Sequence, residues 1–217
     1  MNVRPLSISV SPQLGNVSAE VIEPANMKAM VTLAHGAGAG MQHRFMIALS
    51  EELAKHEIGS LRYNFPYMEQ GKKRPDVPAV AHKAVAAVIQ KSHELFPGLP
   101  LFVSGKSFGG RMSSQYLSKE TPEFVKGIIF YGFPLHPAGE PSITRADHLQ
   151  SIHIPMLFLQ GTRDALAEKN LISGVCNSLP TSTLEMFEGA DHSFKSGKKE
   201  FIQELADSTN QWLDKLL

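Results

Sequence analysis

The chain has almost no cysteine, since Cys176 is the only one among 217 residues. One cysteine cannot form an intrachain disulfide, and the sequence therefore predicts a protein of a reducing compartment, the cytoplasm. The N-terminal segment has no continuous apolar stretch of the kind found in signal peptides, which agrees with that expectation. No run approaches about 18 consecutive apolar residues, so we predict neither a membrane-spanning helix nor a membrane partner.

An excess of charge of either sign is also absent. Lys and Arg together number 21, Asp and Glu together number 21, and the formal net charge is therefore zero. Such a chain has no long-range field that would draw it to a polyanion, which predicts no nucleic-acid partner. Hydrophobic residues make up 42% of the chain and charged residues 19%, which is the composition of a folded globular protein.

Short apolar segments that look like strands alternate with segments of helical periodicity along most of the chain. This alternation is typical of an α/β fold with three layers, in which helices cover both faces of a mostly parallel sheet. Residues 6–10 and 19–22 predict an antiparallel N-terminal edge, and residues 195–217 predict a closing amphipathic helix. We expect residues 1–217 to form a single domain, because the length suits one sizeable core and is short for two.

Two motifs overlap at Gly105-Lys106-Ser107. A nucleotide-binding Walker A loop needs a glycine five residues before Gly105, and Pro100 stands there instead. The pattern G-x-S-x-G, by contrast, is complete in residues 105–109, with a strand-like segment before it and a helical one after it. In this nucleophile elbow a serine occupies a tight strand-to-helix turn that excludes neighbouring side chains. The sequence therefore predicts Ser107 as a nucleophile.

A serine nucleophile needs a general base, and the base needs a carboxylate to orient it. In hydrolases with this elbow the chain order is Ser, then Asp or Glu, then His, each after a strand. Asp164 follows the strand-like residues 156–160, and His192 follows residues 183–187. We therefore predict the catalytic triad Ser107, Asp164 and His192. Asp191 is the rival acid, although adjacent side chains rarely converge on one imidazole.

A glycine-rich loop, LAHGAGAG, spans residues 33–40. The dinucleotide-binding pattern G-x-G-x-x-G breaks here, because its third glycine would fall at Met41. Hydrolases with a nucleophile elbow keep half of their oxyanion hole in a loop of this kind. We therefore predict that the backbone N–H groups of Ala37 and Phe108 bind the oxyanion of a tetrahedral intermediate.

Three further polar residues stand near these motifs and are candidates for substrate contact: Arg111, His136 and His43. Arg111 lies one helical turn after Ser107, where it would either clamp a substrate carboxylate or form a salt bridge on the helix face. The two histidines would line the mouth of the site. The sequence predicts no metal site and no cofactor, and it carries no signal for an oligomeric state.

Five short motifs carry a resemblance to a known family, and they stand in the order His35-Gly36-Ala37-Gly38, GKSFGGR (105–111), GFPLHP (132–137), QGTRD (160–164) and DHSFK (191–195). Together they resemble α/β-hydrolases, and within them a family of small bacterial "predicted hydrolase" proteins, testis-expressed hydrolase-like proteins and the third subunit of the NSL chromatin complex. The elbow of that family more often has Met where this chain has Phe108. The resemblance implies the hydrolase fold and the triad, and it implies little about the substrate.

The segment between the strands that end near Gly132 and begin near Met156 is too short for a substantial cap domain. We therefore expect an open pocket suited to small acyl groups. The leading interpretation is a carboxylesterase or thioesterase that acts on a small-molecule ester or thioester through an acyl-enzyme. A peptidase or amidase with the same triad and a hydrolase-fold scaffold protein are the alternatives.

Overall fold

Eight strands form one sheet in the computed structural model, which describes residues 2–217. They are β1 (Asn2–Ser11), β2 (Gly15–Glu23), β3 (Ala29–Ala34), β4 (Ile58–Tyr63), β5 (Leu101–Lys106), β6 (Val125–Tyr131), β7 (Met156–Gly161) and β8 (Ser182–Phe187). The helices are α1 (Arg44–Lys55), α2 (Pro66–Glu69), α3 (Pro78–Leu95), α4 (Phe108–Leu117), α5 (Lys169–Asn177) and α6 (Ile202–Leu213), and a 3-10 helix spans Thr144–Ser151. β9 (Lys195–Ser196) and β10 (Lys199–Glu200) form a separate hairpin.

The strand order is β1-β2-β4-β3-β5-β6-β7-β8. The strands from β4 to β8 pair in parallel, whereas β1 pairs with β2 and β2 with β4 in antiparallel fashion. This arrangement confirms the predicted mostly parallel sheet with an antiparallel N-terminal edge. Strands β3, β4 and β7 are buried along their whole length, because helices cover both faces of the sheet.

Two hydrophobic clusters lie on the two faces of this sheet. One cluster includes Ala84 of α3 and Met112 of α4, and the other includes Leu49 of α1 and Leu205 of α6. The chain therefore has the three layers that the alternation of its segments predicts. None of the helices within residues 2–217 combines the length and the apolar character needed to cross a bilayer.

The C-terminal segment differs from the expected single helix over residues 195–217. Its first six residues form the β9–β10 hairpin, and α6 begins only at Ile202. Gly197 has a φ of 58° between the two strands, which lets the chain reverse direction. The Phe201 amide then donates to the Phe194 carbonyl at 3.1 Å, so the hairpin folds back on the loop that carries His192.

The connection from β6 to β7 positions no cap over the sheet. It contains one 3-10 helix, Thr144–Ser151, where the sequence predicted a short helix over residues 145–152. The carboxyl ends of the parallel strands are therefore left open, and this is the edge at which ligands bind in open α/β sheets.

Candidate active site

Ser107 lies at the sharp turn between β5 and α4, with φ 51° and ψ −115°. A residue with a side chain rarely adopts this conformation, and it persists only where the surrounding structure fixes it. Two glycines make the turn sterically possible. A Cβ atom on Gly105 would lie 2.3 Å from the Gly110 nitrogen, and one on Gly109 would lie 2.5 Å from the Ala34 carbonyl oxygen. The G-x-S-x-G spacing is thus required by backbone contacts on both sides of Ser107.

The structure brings Ser107, His192 and Asp164 together in one chain of hydrogen bonds. Nε2 of His192 lies 2.8 Å from Oγ of Ser107, and Nδ1 lies 2.7 Å from Oδ2 of Asp164. A carboxylate only accepts, so Nδ1 carries the ring proton and Nε2 is free to accept from the serine hydroxyl. This is the orientation that allows a histidine to act as a general base toward serine.

The carboxylate of Asp164 is fully buried and has further hydrogen-bond partners besides His192. The Leu166 amide donates to Oδ1 at 2.8 Å, and the Gln160 side-chain amide donates to Oδ2 at 2.6 Å. Sequence reasoning did not assign a role to Gln160. The available signal was a polar residue inside an apolar strand, four positions before the acidic residue.

The charge state of His192 reflects opposing influences. Burial lowers the pKa of His192, and the hydrogen bond with Asp164 raises it. The positive charge of Lys106 lowers the pKa further, while the charges of Asp164 and Asp191 raise it, and the net shift is downward. The ring is therefore held toward its neutral form, which is the form that accepts a proton.

The glycine loop lies beside the serine. A Cβ atom on Gly36 would stand 3.8 Å from Cβ of Ser107, so the loop approaches the nucleophile through its backbone. Outside the helices and strands of residues 2–217, no backbone carbonyl accepts from the Ala37 amide, and Phe108 is the first residue of α4, whose N–H has no partner within the helix. Both amides are thus free to bind an oxyanion, and their role as an oxyanion hole stays a prediction.

Buried hydrogen bonds hold this loop in place. Nε2 of His35 accepts from the Phe65 amide at 3.1 Å, so Nδ1 carries the proton and donates to the Gly36 carbonyl at 2.7 Å. The Gly38 amide donates to the Tyr67 hydroxyl at 2.9 Å. Burial lowers the pKa of His35 to about 4, so its ring stays neutral at physiological pH.

A cavity of about 530 Å³ opens above Ser107 and His192. Its walls include the glycine loop and the start of α1, where His43 is the N-cap residue and accepts from the Phe45 amide at 3.2 Å. His43 is thus in position for the predicted substrate contact. Glu200 on the cavity wall pairs with both Arg44 and Lys195.

The other two candidates for substrate contact do not line this cavity. Arg111 is half-buried on α4, where burial and the positive charge of Arg145 lower the pKa of its guanidinium. His136 uses both ring nitrogens on backbone groups, with Nδ1 2.8 Å from the Pro137 carbonyl oxygen and Nε2 accepting from the Glu168 amide at 3.2 Å. His136 lines a separate cavity of about 440 Å³.

No group of three or more potential metal ligands is clustered within the part of the chain that the structure describes.

Solved structures with the same fold include known hydrolases. A serine hydrolase without a lid from Xanthomonas campestris has a TM-score of 0.78 at 18% identity, over 100% of this chain and 96% of that one. A dienelactone hydrolase from Anabaena variabilis has a TM-score of 0.78 at 17% identity, over 100% and 98% of the two chains. The esterase domain of a Rhodothermus marinus protein has a TM-score of 0.75 at 13% identity, over 99% of both.

At these identities the structural neighbours establish the fold alone. The sequence itself matches the profile of the family described as "Alpha/beta hydrolase domain" over residues 27–214, which is most of the chain. That span contains the nucleophile elbow, the glycine loop and the loops that carry Asp164 and His192. The protein therefore belongs to the alpha/beta hydrolase domain family and has the lidless form of that fold.

Proposed function

We propose that this protein is a serine hydrolase that cleaves small carboxylic esters or thioesters through an acyl-enzyme. The observation that carries this proposal is the unbroken chain of hydrogen bonds from Ser107 through His192 to Asp164, at 2.8 and 2.7 Å. Such a chain at the open carboxyl edge of the sheet is the arrangement that activates a serine for attack on a carbonyl.

In the proposed acylation step, His192 Nε2 takes the proton of the Ser107 hydroxyl as Oγ attacks the carbonyl carbon. The negative charge that develops on the carbonyl oxygen is bound by the amides of Ala37 and Phe108. Asp164 holds the imidazole by Nδ1 and stabilises the imidazolium that forms. The imidazolium then protonates the departing alcohol or thiol, which leaves the acyl group on Oγ. Water, deprotonated by the same histidine, releases the acid in the second half of the reaction.

The cavity supports a small acyl substrate. Its volume of about 530 Å³ is in the range of small-molecule sites, and no cap domain rises between β6 and β7 to form a long enclosed tunnel. Esterases and a dienelactone hydrolase among the structural neighbours support carboxylic ester chemistry over other hydrolase reactions.

We also propose a narrower relationship than the domain family. The motifs HGAG, GKSFGGR, QGTRD and DHSFK resemble those of the small "predicted hydrolase" proteins that include testis-expressed hydrolase-like proteins and the NSL-complex third subunit. The lidless fold is consistent with this placement.

Covalent labelling with a fluorophosphonate probe tests the proposed nucleophile. The unmodified protein is expected to be labelled at Ser107, and the variants Ser107→Ala and His192→Ala are expected to lose labelling while they keep their folded far-ultraviolet spectrum. Ser118→Ala removes a hydroxyl from the far end of the same helix and is expected to retain labelling. Labelling that persists in Ser107→Ala would overturn the assignment.

Hydrolysis of p-nitrophenyl esters of increasing chain length tests the substrate class. We expect kcat/KM to be highest for acetate and butyrate esters and to fall for long acyl chains, because the cavity has no tunnel to enclose them. A preference for long chains would contradict the argument from the missing cap.

A further inference from the structure

Lys106 is the last residue of β5 and immediately precedes Ser107. Its stem passes the glycine loop, with Cγ 3.7 Å from where a Cβ atom on Gly36 would stand. Its ammonium nitrogen is buried and has no hydrogen-bond partner within residues 2–217. A buried charged group without a hydrogen bond is unfavourable and calls for a physical reason.

Two aromatic rings surround this ammonium group. Nζ lies 6.0 Å from the centroid of the Phe45 ring and 5.5 Å from that of Phe194, and the two rings stack on each other at 6.1 Å. Cation–π contacts of this kind stabilise an ammonium group only in part when it has lost its water. Burial accordingly lowers the pKa of Lys106 to about 8, against the attraction of Asp164 and Asp191.

The same ammonium group and the His192 ring both lie beside Gly132. Lys106 pairs with Tyr131 in the parallel ladder, so its side chain lies next to Gly132 at the end of β6. The position of a Cβ atom on Gly132 would be 3.2 Å from Nζ of Lys106 and 3.6 Å from Cε1 of His192. Cε1 lies between the two ring nitrogens, where an imidazolium shares its positive charge. An ammonium on this side of the ring opposes protonation.

The charged and titratable groups around His192 come from three segments. Asp164 follows β7 and contacts Nδ1, Asp191 precedes His192 in its own loop, and Ser107 contacts Nε2 from the elbow. Both carboxylates favour the imidazolium. Lys106 is the positive charge that balances them, which gives a reason for an unpartnered ammonium at this position.

We propose that Lys106 is a positioning residue that keeps the His192 imidazole unprotonated in the resting protein, through an ammonium that lies beside Gly132 on the Cε1 side of the ring. This role rests on the proposed function, since it makes the base of the hydrolytic reaction available. The same repulsion favours proton transfer from His192 Nε2 to the departing oxygen or sulfur once the imidazolium has formed. Because a neutral base is retained to lower pH, the acidic limit of activity is extended downward.

Titration of the His192 Cε1–H signal by NMR tests this role without a substrate. The signal is identified by its loss in His192→Asn, and the other histidines serve as internal references. In the unmodified protein we expect a midpoint below the ordinary value of about 6.5. Lys106→Met places an unbranched apolar side chain beside the Phe45 and Phe194 rings and removes the positive charge. It is expected to raise the His192 midpoint by about one pH unit. Lys106→Gln, a second neutral variant, is expected to do the same.

Lys195→Met is the matched control, because it also removes one positive charge from the cavity wall but from a half-exposed, screened position. Its His192 midpoint is expected to match that of the unmodified protein. A midpoint at or above 6.5 in the unmodified protein, or one that does not move in either Lys106 variant, would overturn the proposal. Fluorophosphonate labelling is measured separately. Absence of labelling together with a shifted midpoint would reject the hydrolase and leave the titration effect standing.

Discussion

Gln160 and His192 hydrogen-bond to the same oxygen atom of Asp164. The Gln160 amide nitrogen lies 2.6 Å from Oδ2, and Nδ1 of His192 lies 2.7 Å from it. The other end of the glutamine amide accepts from the Phe133 N–H at 2.9 Å, which fixes which end of the amide faces the carboxylate. The orientation of Asp164 is therefore set by the end of β6 as well as by its own loop.

Substitution Gln160→Met should affect both stability and catalysis. It leaves the Phe133 N–H and one lone pair of Asp164 without a partner, which should reduce the free energy of unfolding by about 1–3 kcal/mol in urea denaturation. We expect kcat for an acetate ester to fall about tenfold with KM little changed, because the carboxylate loses a constraint on its orientation. Gln203→Met is the control, because Gln203 is an exposed residue of α6. This substitution should change the free energy of unfolding by less than about 0.5 kcal/mol. Unaltered kcat in Gln160→Met would contradict the positioning role.

The glycines of the elbow should tolerate no side chain. Gly109→Ala places a Cβ atom 2.5 Å from the Ala34 carbonyl oxygen, and we expect a loss of more than about 3 kcal/mol of stability or failure to fold. Gly174→Ala is the matched comparison, since that glycine is exposed in the middle of α5 and a Cβ there meets nothing within 4 Å. It should raise stability by about 0.5–1 kcal/mol. Thermal denaturation of both variants gives the test, and similar melting temperatures would disprove the steric argument.

The backbone conformation of Ser107 is expected to reduce the free energy of unfolding. At φ 51° and ψ −115°, a glycine is less strained than any residue with a Cβ atom. We therefore expect Ser107→Gly to be more stable than Ser107→Ala by about 1 kcal/mol, although neither variant is labelled by a fluorophosphonate. Equal free energies of unfolding for the two variants would show that the turn carries no such strain.

His35 should make the fold sensitive to acid. Its pKa is about 4 in the folded protein, against an ordinary value of about 6.5 in the unfolded chain. The unfolded chain therefore binds the proton first, and stability falls as pH drops from 6.5 to about 4, by about 3 kcal/mol in total. His35→Gln offers one donor and one acceptor but does not titrate, so its stability should depend less on pH across this range. Urea denaturation at several pH values measures the difference, and parallel profiles would refute the assignment.

The order of the main strands and helices was predictable because most of the parallel strands are short apolar runs and the longer helices have an apolar face. The positions of Ser107, Asp164 and His192 were predictable for a related reason: all three lie in the turns or loops that follow parallel strands, and the carboxyl ends of such strands meet at one edge. The separate hairpin at Lys195 was missed, because apolar residues continue at helical spacing beyond it. Its signal was the Ser196-Gly197 pair, which favours a turn.

Side-chain direction limited the remaining site predictions. Arg111 is one turn from Ser107, but it does not line the cavity, and the charge of Arg145 in the 3-10 helix is near enough to lower its pKa. The ring of His136 is held by the neighbouring Pro137 carbonyl and by the amide of Glu168, which lies about thirty residues away in sequence. Gln160 hydrogen-bonds both to the Phe133 amide, which precedes it in the chain, and to the Asp164 carboxylate, which follows it. Contacts of this kind depend on the packed fold and are not encoded in local spacing.

The N-terminal hairpin has a consequence for association between molecules. β1 and β2 lie outside residues 27–214, yet β2 pairs with β4, a strand buried along all six of its residues. Without that partner, β4 would present a strand edge with free backbone groups, which is a template for pairing with another chain. The edge is instead β1, where Pro5 has no N–H to donate and polar side chains alternate with apolar ones. Protection against edge-to-edge aggregation is therefore supplied by a segment outside the residues that match the family profile.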